Sequence, residues 1–247
     1  MMMLMRKAWL ESRGRFITAA VVLAILGVST VLRAPATIAG WEAHHRGETM
    51  SYALYIWLSL SHGFLQFLWV VAAVILGLGG LRREQAHGSS GFSLALPVSR
   101  KAHVVSRALT GAGEAAVLAL VPGLIVVALS PLAGFHYPLG QALLFAALLV
   151  SAGLVFYALG FFLSEILPGE YAAPGVGMGI VAAFYVLTRL PRFDFLNVFD
   201  AMDGKKVLVG QTFYLGDTYP FATIVWSLLA ALTLAILTVI EVTRRDF

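Results

Sequence analysis

Six apolar runs constrain this chain more than any other feature, at about 16–33, 52–81, 104–129, 139–163, 172–188 and 220–240. A helix rises 1.5 Å per residue, so a run of about 20 residues crosses the ~30 Å hydrocarbon core of a bilayer. Inside lipid every backbone N–H and C=O must find a partner within the protein, and a helix supplies them all. These runs also lack the polar face that a helix carries on a water-soluble domain. Charged residues make up 12% of the 247 residues, against the ~25% usual in soluble domains. The fold expected is therefore an all-α integral membrane protein with six transmembrane helices, one membrane domain spanning 1–247. No segment between the runs is long enough for a separate soluble domain. There is no cysteine, which excludes thiolate chemistry.

Residues 1–15 read as an amphipathic helix on the membrane surface. Met1, Leu4, Met5 and Ala8 share one face, and Arg6, Lys7 and Arg13 lie opposite. The first apolar run competes with a signal peptide, because Ala34-Pro35-Ala36 resembles a cleavage site. The length of its core and Glu11 ahead of it favour a span. Residues 33–51 read as a solvated loop; His44 and His45 are adjacent and point apart, which argues against a metal site. In the second run Ser59, His62, Gly63 and Gln66 follow helical spacing and form a polar stripe. Such a stripe either packs against another helix or lines a pathway. Gly77, Gly79 and Gly80 at its end permit close backbone approach. In the third run Glu114 lies deep among apolar residues, with Arg107 two turns earlier on the same face. An intramembrane carboxylate marks either a structural ion pair or a functional group. Gly175 and Gly179 make a small-xxx-small pair suited to a tight helix contact. Between the last two runs, Phe195, Leu196, Phe199 and Met202 form a stripe for a short interfacial helix or a re-entrant hairpin.

The most basic interruption is Arg82–Arg107, which holds Arg82, Arg83, Arg100, Lys101 and Arg107. Ser89 or Ser90 can cap a short helix there. Phe92, Leu94 and Leu96 supply its apolar groups, with Phe92 and Leu96 on one face. Pro97 stops it, and Ser99 caps the next helix. Such a helix, without cover from its own chain, is buried either in headgroups or in a partner's groove. With the N-terminus inside, the inner segments hold eleven of the 17 Lys/Arg and the outer ones six, the direction the positive-inside rule favours. The phosphate-binding GxxxxGK[ST] loop is absent, as are HExxH, GxSxG and CxxC. ATP hydrolysis by this chain alone is not expected. A Ser59, His62 and Glu114 constellation is conceivable, but no spacing supports it.

The segment LRREQAHGSSGFSLALPVSRKAHVVSRAL resembles the loop between the second and third spans of bacterial ABC exporter permeases of the second type. The matching positions are Glu84, Gly88, Gly91, Leu94, Pro97, Val98, Ser99 and Arg100. The remainder of the chain resembles that family loosely. The resemblance implies that Phe92–Leu96 is a coupling helix seated in a separate cytoplasmic ATP-binding subunit, with Glu84, Gly88, Gly91, Phe92, Leu94, Leu96, Pro97 and Arg100 as its coupling residues. It further implies two permeases working with two ATPases, which hold ATP and Mg while this chain binds no cofactor. The pathway would lie between the permease copies, with the first and fifth spans near the dimer contact. Both termini would be cytoplasmic in the bacterial inner membrane, and short helices at 190–218 would cap the exit. Ser59, His62, Gln66 and Glu114 would be pathway or intramembrane polar residues, and Gly175 and Gly179 dimer or packing residues. The alternatives to a transport subunit are a non-transporting assembly or sensor subunit, or an intramembrane enzyme. Aromatic and small residues in the spans suit an amphipathic cargo, without naming one.

Overall fold

The computed structural model describes residues 1–45, 49–79, 99–168, 171–209, 213–216 and 219–244. In chain order the helices are α1 (Met2–His44), α2 (Tyr52–Ile56), α3 (Phe64–Gly77), α4 (Arg100–Leu129), α5 (Leu139–Ile166), α6 (Ala172–Thr188), α7 (Val198–Met202) and α8 (Phe221–Arg244). The residues between α2 and α3, Trp57–Ser61, form a π-helical turn, and 3-10 turns follow α4 and precede α7. Among the described residues the one β feature is an antiparallel bridge, Leu208 to Leu215. Five helical stretches are long and apolar enough to cross a membrane: Met2–His44, Tyr52–Gly77, Arg100–Ala133, Leu139–Ile166 and Phe221–Arg244. The chain is thus an all-helical, multi-pass membrane protein. The expected fifth run, α6, is apolar but shorter, at 17 residues.

Helix α1 departs from expectation. The surface helix, the first span and most of the loop expected at 33–51 form one unbroken helix of 43 residues. At 1.5 Å per residue it is ~65 Å long, about twice the hydrocarbon thickness. Pro35 lies inside it. Val31 and Ala34 beside it are fully buried, and Ile38 and Trp41 pack against the core. Tertiary burial carries the helix across a residue that would end an isolated one.

Helix α5 sits centrally, packing on α3, α4, α6, α7 and α8, while α1 lies against α4 and α3. Trp69, Phe161, Leu118 and Val74 are the large buried groups of the core, and the Trp69 indole donates to the Ala115 carbonyl at 3.0 Å. The α3–α5 seam is closed by glycine. A Cβ on Gly77 would stand 2.5 Å from the Phe161 nitrogen, and one on Gly160 would overlap the Val74 carbonyl. The close approach expected at Gly77 is borne out.

Candidate functional site

Two polar clusters interrupt the apolar bundle. The first surrounds the roots of the segment that joins α3 to α4. Residues 80–98 lie outside the described residues, so Glu84, Gly88, Gly91, Phe92, Leu94, Leu96 and Pro97 cannot be placed. Their flanks are described. On the exit side the Ser99 side chain accepts from the Ala102 N–H at 3.2 Å, capping α4 as its sequence position predicts. Arg100, partly exposed, is the first residue of that helix. On the entry side α3 ends at Gly77, and its last carbonyls are taken by arginine. Arg15 of α1 donates to Ile75 O at 2.8 Å and also to Leu78 O. Arg107 of α4 reaches Leu78 O at 3.5 Å. Cations at a helix C-terminus complement its dipole as well as its free carbonyls. Gly79 has φ of 130°, and a Cβ there would collide with the Arg107 guanidinium, so the close approach of arginine requires glycine.

The expected pairing of Glu114 with Arg107 is not formed. Arg107 Nη1 lies 3.6 Å from Glu165 Oε1 of α5, both side chains nearly fully buried at 9% and 3% exposure. The fourth apolar run ends at 163, but α5 continues through Ile166 and carries the Glu165 carboxylate inside. Glu114 instead faces α1, where its Oε1 takes the Ser12 hydroxyl. Its Oε2 is buried with no hydrogen-bond partner among the described residues. The Tyr157 hydroxyl completes the cluster, donating to the Arg107 and Ala108 carbonyls at 3.3 and 3.1 Å. The root of the loop is thereby tied to α1, α4 and α5 at once.

The second cluster lies where the second span breaks. After the π turn, His62 has extended dihedrals and Gly63 has φ of 88°. The even helical stripe expected for Ser59, His62, Gly63 and Gln66 is therefore absent, because the backbone changes course between them. His62 Nδ1 lies 2.7 Å from Asp203 Oδ2. The Trp57 indole donates to the Asp203 carbonyl at 2.9 Å and its ring stacks on His62 at 4.8 Å. Gln66 donates to the Phe199 carbonyl. Ser59 has no part in this network. Burial raises the Asp203 carboxyl above its ordinary range, against the N–H of Lys205 and the imidazole of His62, which favour its charged form. On the surface, the Lys206 ammonium 2.8 Å away holds Asp194 below its usual range.

The break is filled by the segment after α6. Of the apolar stripe expected there, Phe199 and Met202 are buried and Phe195 is exposed. Phe199 packs against Phe156 and Tyr185 at ring separations of 5.3 and 5.0 Å. Gln141 holds the end of the segment with both amide atoms, at 2.9 and 3.3 Å from the Leu215 backbone. The segment contains short helices, as one expectation had it, but one of them, α7, is inserted in the core. Composition could suggest the stripe but not the cavity it would fill.

His62 and Glu114 do not meet, so the conceivable Ser59, His62 and Glu114 constellation is not assembled. No group of three His, Cys, Asp or Glu suited to a metal ion occurs among the described residues. Of the α6 glycines, Gly177 packs internally, where a Cβ would lie 3.2 Å from Val74; Gly175 and Gly179 face open space. A scan against protein-family models finds no match to this chain, and no curated protein sequence is significantly similar to it.

Proposed function

We propose that the chain is the permease subunit of an ATP-driven ABC exporter of the second type. It would form a six-span translocation pathway as a homodimer, each copy coupled to a separate cytoplasmic ATP-binding subunit. The observation that carries this reading is the pairing of the loop motif at 84–100 with the anchoring of its two roots. A force applied to residues 80–98 reaches α3 through Leu78, α4 through Ser99, and α1 and α5 through Arg15, Arg107 and Glu165. A loop meant to transmit the motion of a soluble partner needs such attachment. In this reading α6 is the fifth span, with Gly175 and Gly179 free to meet the second copy, and 190–218 lies outside. The excess of Lys/Arg on the loop side supports cytoplasmic termini.

The test is co-purification of the chain with a soluble ABC ATPase, for which one encoded beside it is the natural choice. Leu94→Glu or Phe92→Asp is expected to abolish association while membrane insertion is retained. Association that survives both substitutions overturns the coupling-helix assignment.

A further inference from the structure

The arginine at the root of the 80–98 segment has a donor that its protein contacts do not use. Arg107 Nη2 reaches Leu78 O at 3.5 Å. Its Nη1 lies 3.6 Å from Glu165 Oε1, close enough for attraction but longer than a hydrogen bond. That Nη1 is buried with no hydrogen-bond partner among the described residues. It carries two N–H groups, so Glu165 accounts for one of them at most. Arg107 also lines a cavity of about 20 Å³ between α1, α3, α4 and α5. A single water molecule needs about 10–15 Å³. The Ser12, Thr110 and Tyr157 hydroxyls belong to the same lining. Each has one proton, and each gives it elsewhere. Ser12 donates to Glu114 or to the Ala8 carbonyl at 3.0 Å, Thr110 to Ser106 O at 2.8 Å, and Tyr157 to the Arg107 and Ala108 carbonyls. What these hydroxyls have left to offer is lone pairs. Of the three, the phenol oxygen is the weakest acceptor, because its lone pair is conjugated to the ring. Glu11, which faces Lys7 at 3.5 Å, adds a carboxylate to the lining. An anion would meet all these acceptors, and a cation would meet the Arg107 guanidinium. A water molecule suits both, since it accepts from a donor and gives two protons to acceptors.

We infer that this cavity binds one structural water molecule, which accepts from Arg107 Nη1 and donates to the Ser12 and Thr110 hydroxyls. The site does not depend on the transport reading. It places an exchangeable molecule, rather than a fixed side chain, between α1 and the arginine that reaches the end of α3.

The experiment uses the full chain in nanodiscs, exposed to a short synchrotron X-ray pulse. Radiolysis turns a bound water into a hydroxyl radical that oxidises the side chains beside it, and mass spectrometry locates the products. Tyr157 and Phe161 line the cavity and are buried; they should be oxidised nevertheless. Trp69, also buried and not part of the lining, is the control. Tryptophan is intrinsically no less reactive toward hydroxyl radical than either, so its protection measures burial. Ala8→Val adds two methyl groups to a residue of the lining and should bring Tyr157 and Phe161 down to the rate of Trp69. Thr110→Val keeps the shape of the side chain but removes the acceptor, and should lower the same labelling, whereas Thr110→Ser should preserve it. Continued protection of Trp69 shows that each variant is folded. Oxidation of Tyr157 and Phe161 no greater than that of Trp69 in the unmodified chain, or unchanged by Ala8→Val, overturns the water site. Equal oxidation in Thr110→Val and Thr110→Ser overturns the hydrogen bonds assigned to it.

Discussion

Gly160→Ala tests whether the α3–α5 seam is as closely packed as its glycines require. In an isolated helix this change is favourable by up to ~1 kcal/mol. Here the added methyl would overlap the Val74 carbonyl and stand 3.0 Å from the Val74 Cα. Both are backbone atoms, so no rotamer change relieves the contact. Ordinary carbon contacts lie at ~3.5–4.0 Å, which requires the helices to part by about 1 Å. The seam includes Val70, Trp69, Phe156 and Phe161, all buried, and a gap of that size forfeits roughly a quarter to a half of each affected contact. Overpacking of a rigid core costs about 1–3 kcal/mol. For a chain of this size that is roughly 2–12 °C in melting temperature, measurable by thermal unfolding in detergent. Gly179→Ala is the control, since nothing lies within 4 Å of its added methyl; helix propensity alone acts there and should raise the melting temperature by up to ~4 °C. An unchanged melting temperature for Gly160→Ala, or equal losses at both positions, refutes the argument.

Arg107→Met removes one partner of Glu165 across the α4–α5 contact and should cost up to about 3 kcal/mol, whereas Arg107→Met with Glu165→Leu should recover part of that loss, because an apolar pair replaces a buried ionic one. Urea or thermal unfolding of the two variants measures the difference, and a double variant no better than the single one refutes the pairing. Asp203 has a raised carboxyl pKa in the folded chain, so its contribution to stability is fully present below the ordinary value of 3.8 and lost as pH rises through the higher folded value. Asp203→Asn should abolish that segment of the pH–stability profile, and identical profiles for the two proteins would refute the assignment.

The sequence made some local features legible because the cause was itself local. The Ser99 cap needs only a hydroxyl three residues before a free N–H, and the close packing at Gly77 needs only a missing side chain. The continuation of α1 past Pro35 was not legible, because it depends on what Val31, Ala34, Ile38 and Trp41 meet in the core. Glu114 misled for a related reason. Seven residues place Arg107 on the same helical face but ~10 Å away along it, farther than an ion pair reaches. Each side chain found a nearer partner on another helix, Ser12 for the glutamate and Glu165 for the arginine. The break at Gly63 was equally hidden, since Ser59, His62 and Gln66 have even spacing in the sequence. Only the insertion of α7 shows why the span changes course there.

These contacts divide the bundle into a centre and a margin. Helices α3 and α5 meet backbone to backbone at Gly77 and Gly160, and Trp69 ties α3 to α4. Packed interiors of this kind deform little, and displacement passes through them as rigid motion. Helices α1 and α8 lie at the margin: they bury 22% and 17% of their most apolar windows, α1 chiefly against α4 and α8 chiefly against α5. Arg15 joins the two, for it projects from α1 onto the last carbonyls of α3. A displacement of the end of α3 would thus reach α1 through Arg15, and α4 and α5 through Arg107 and Glu165.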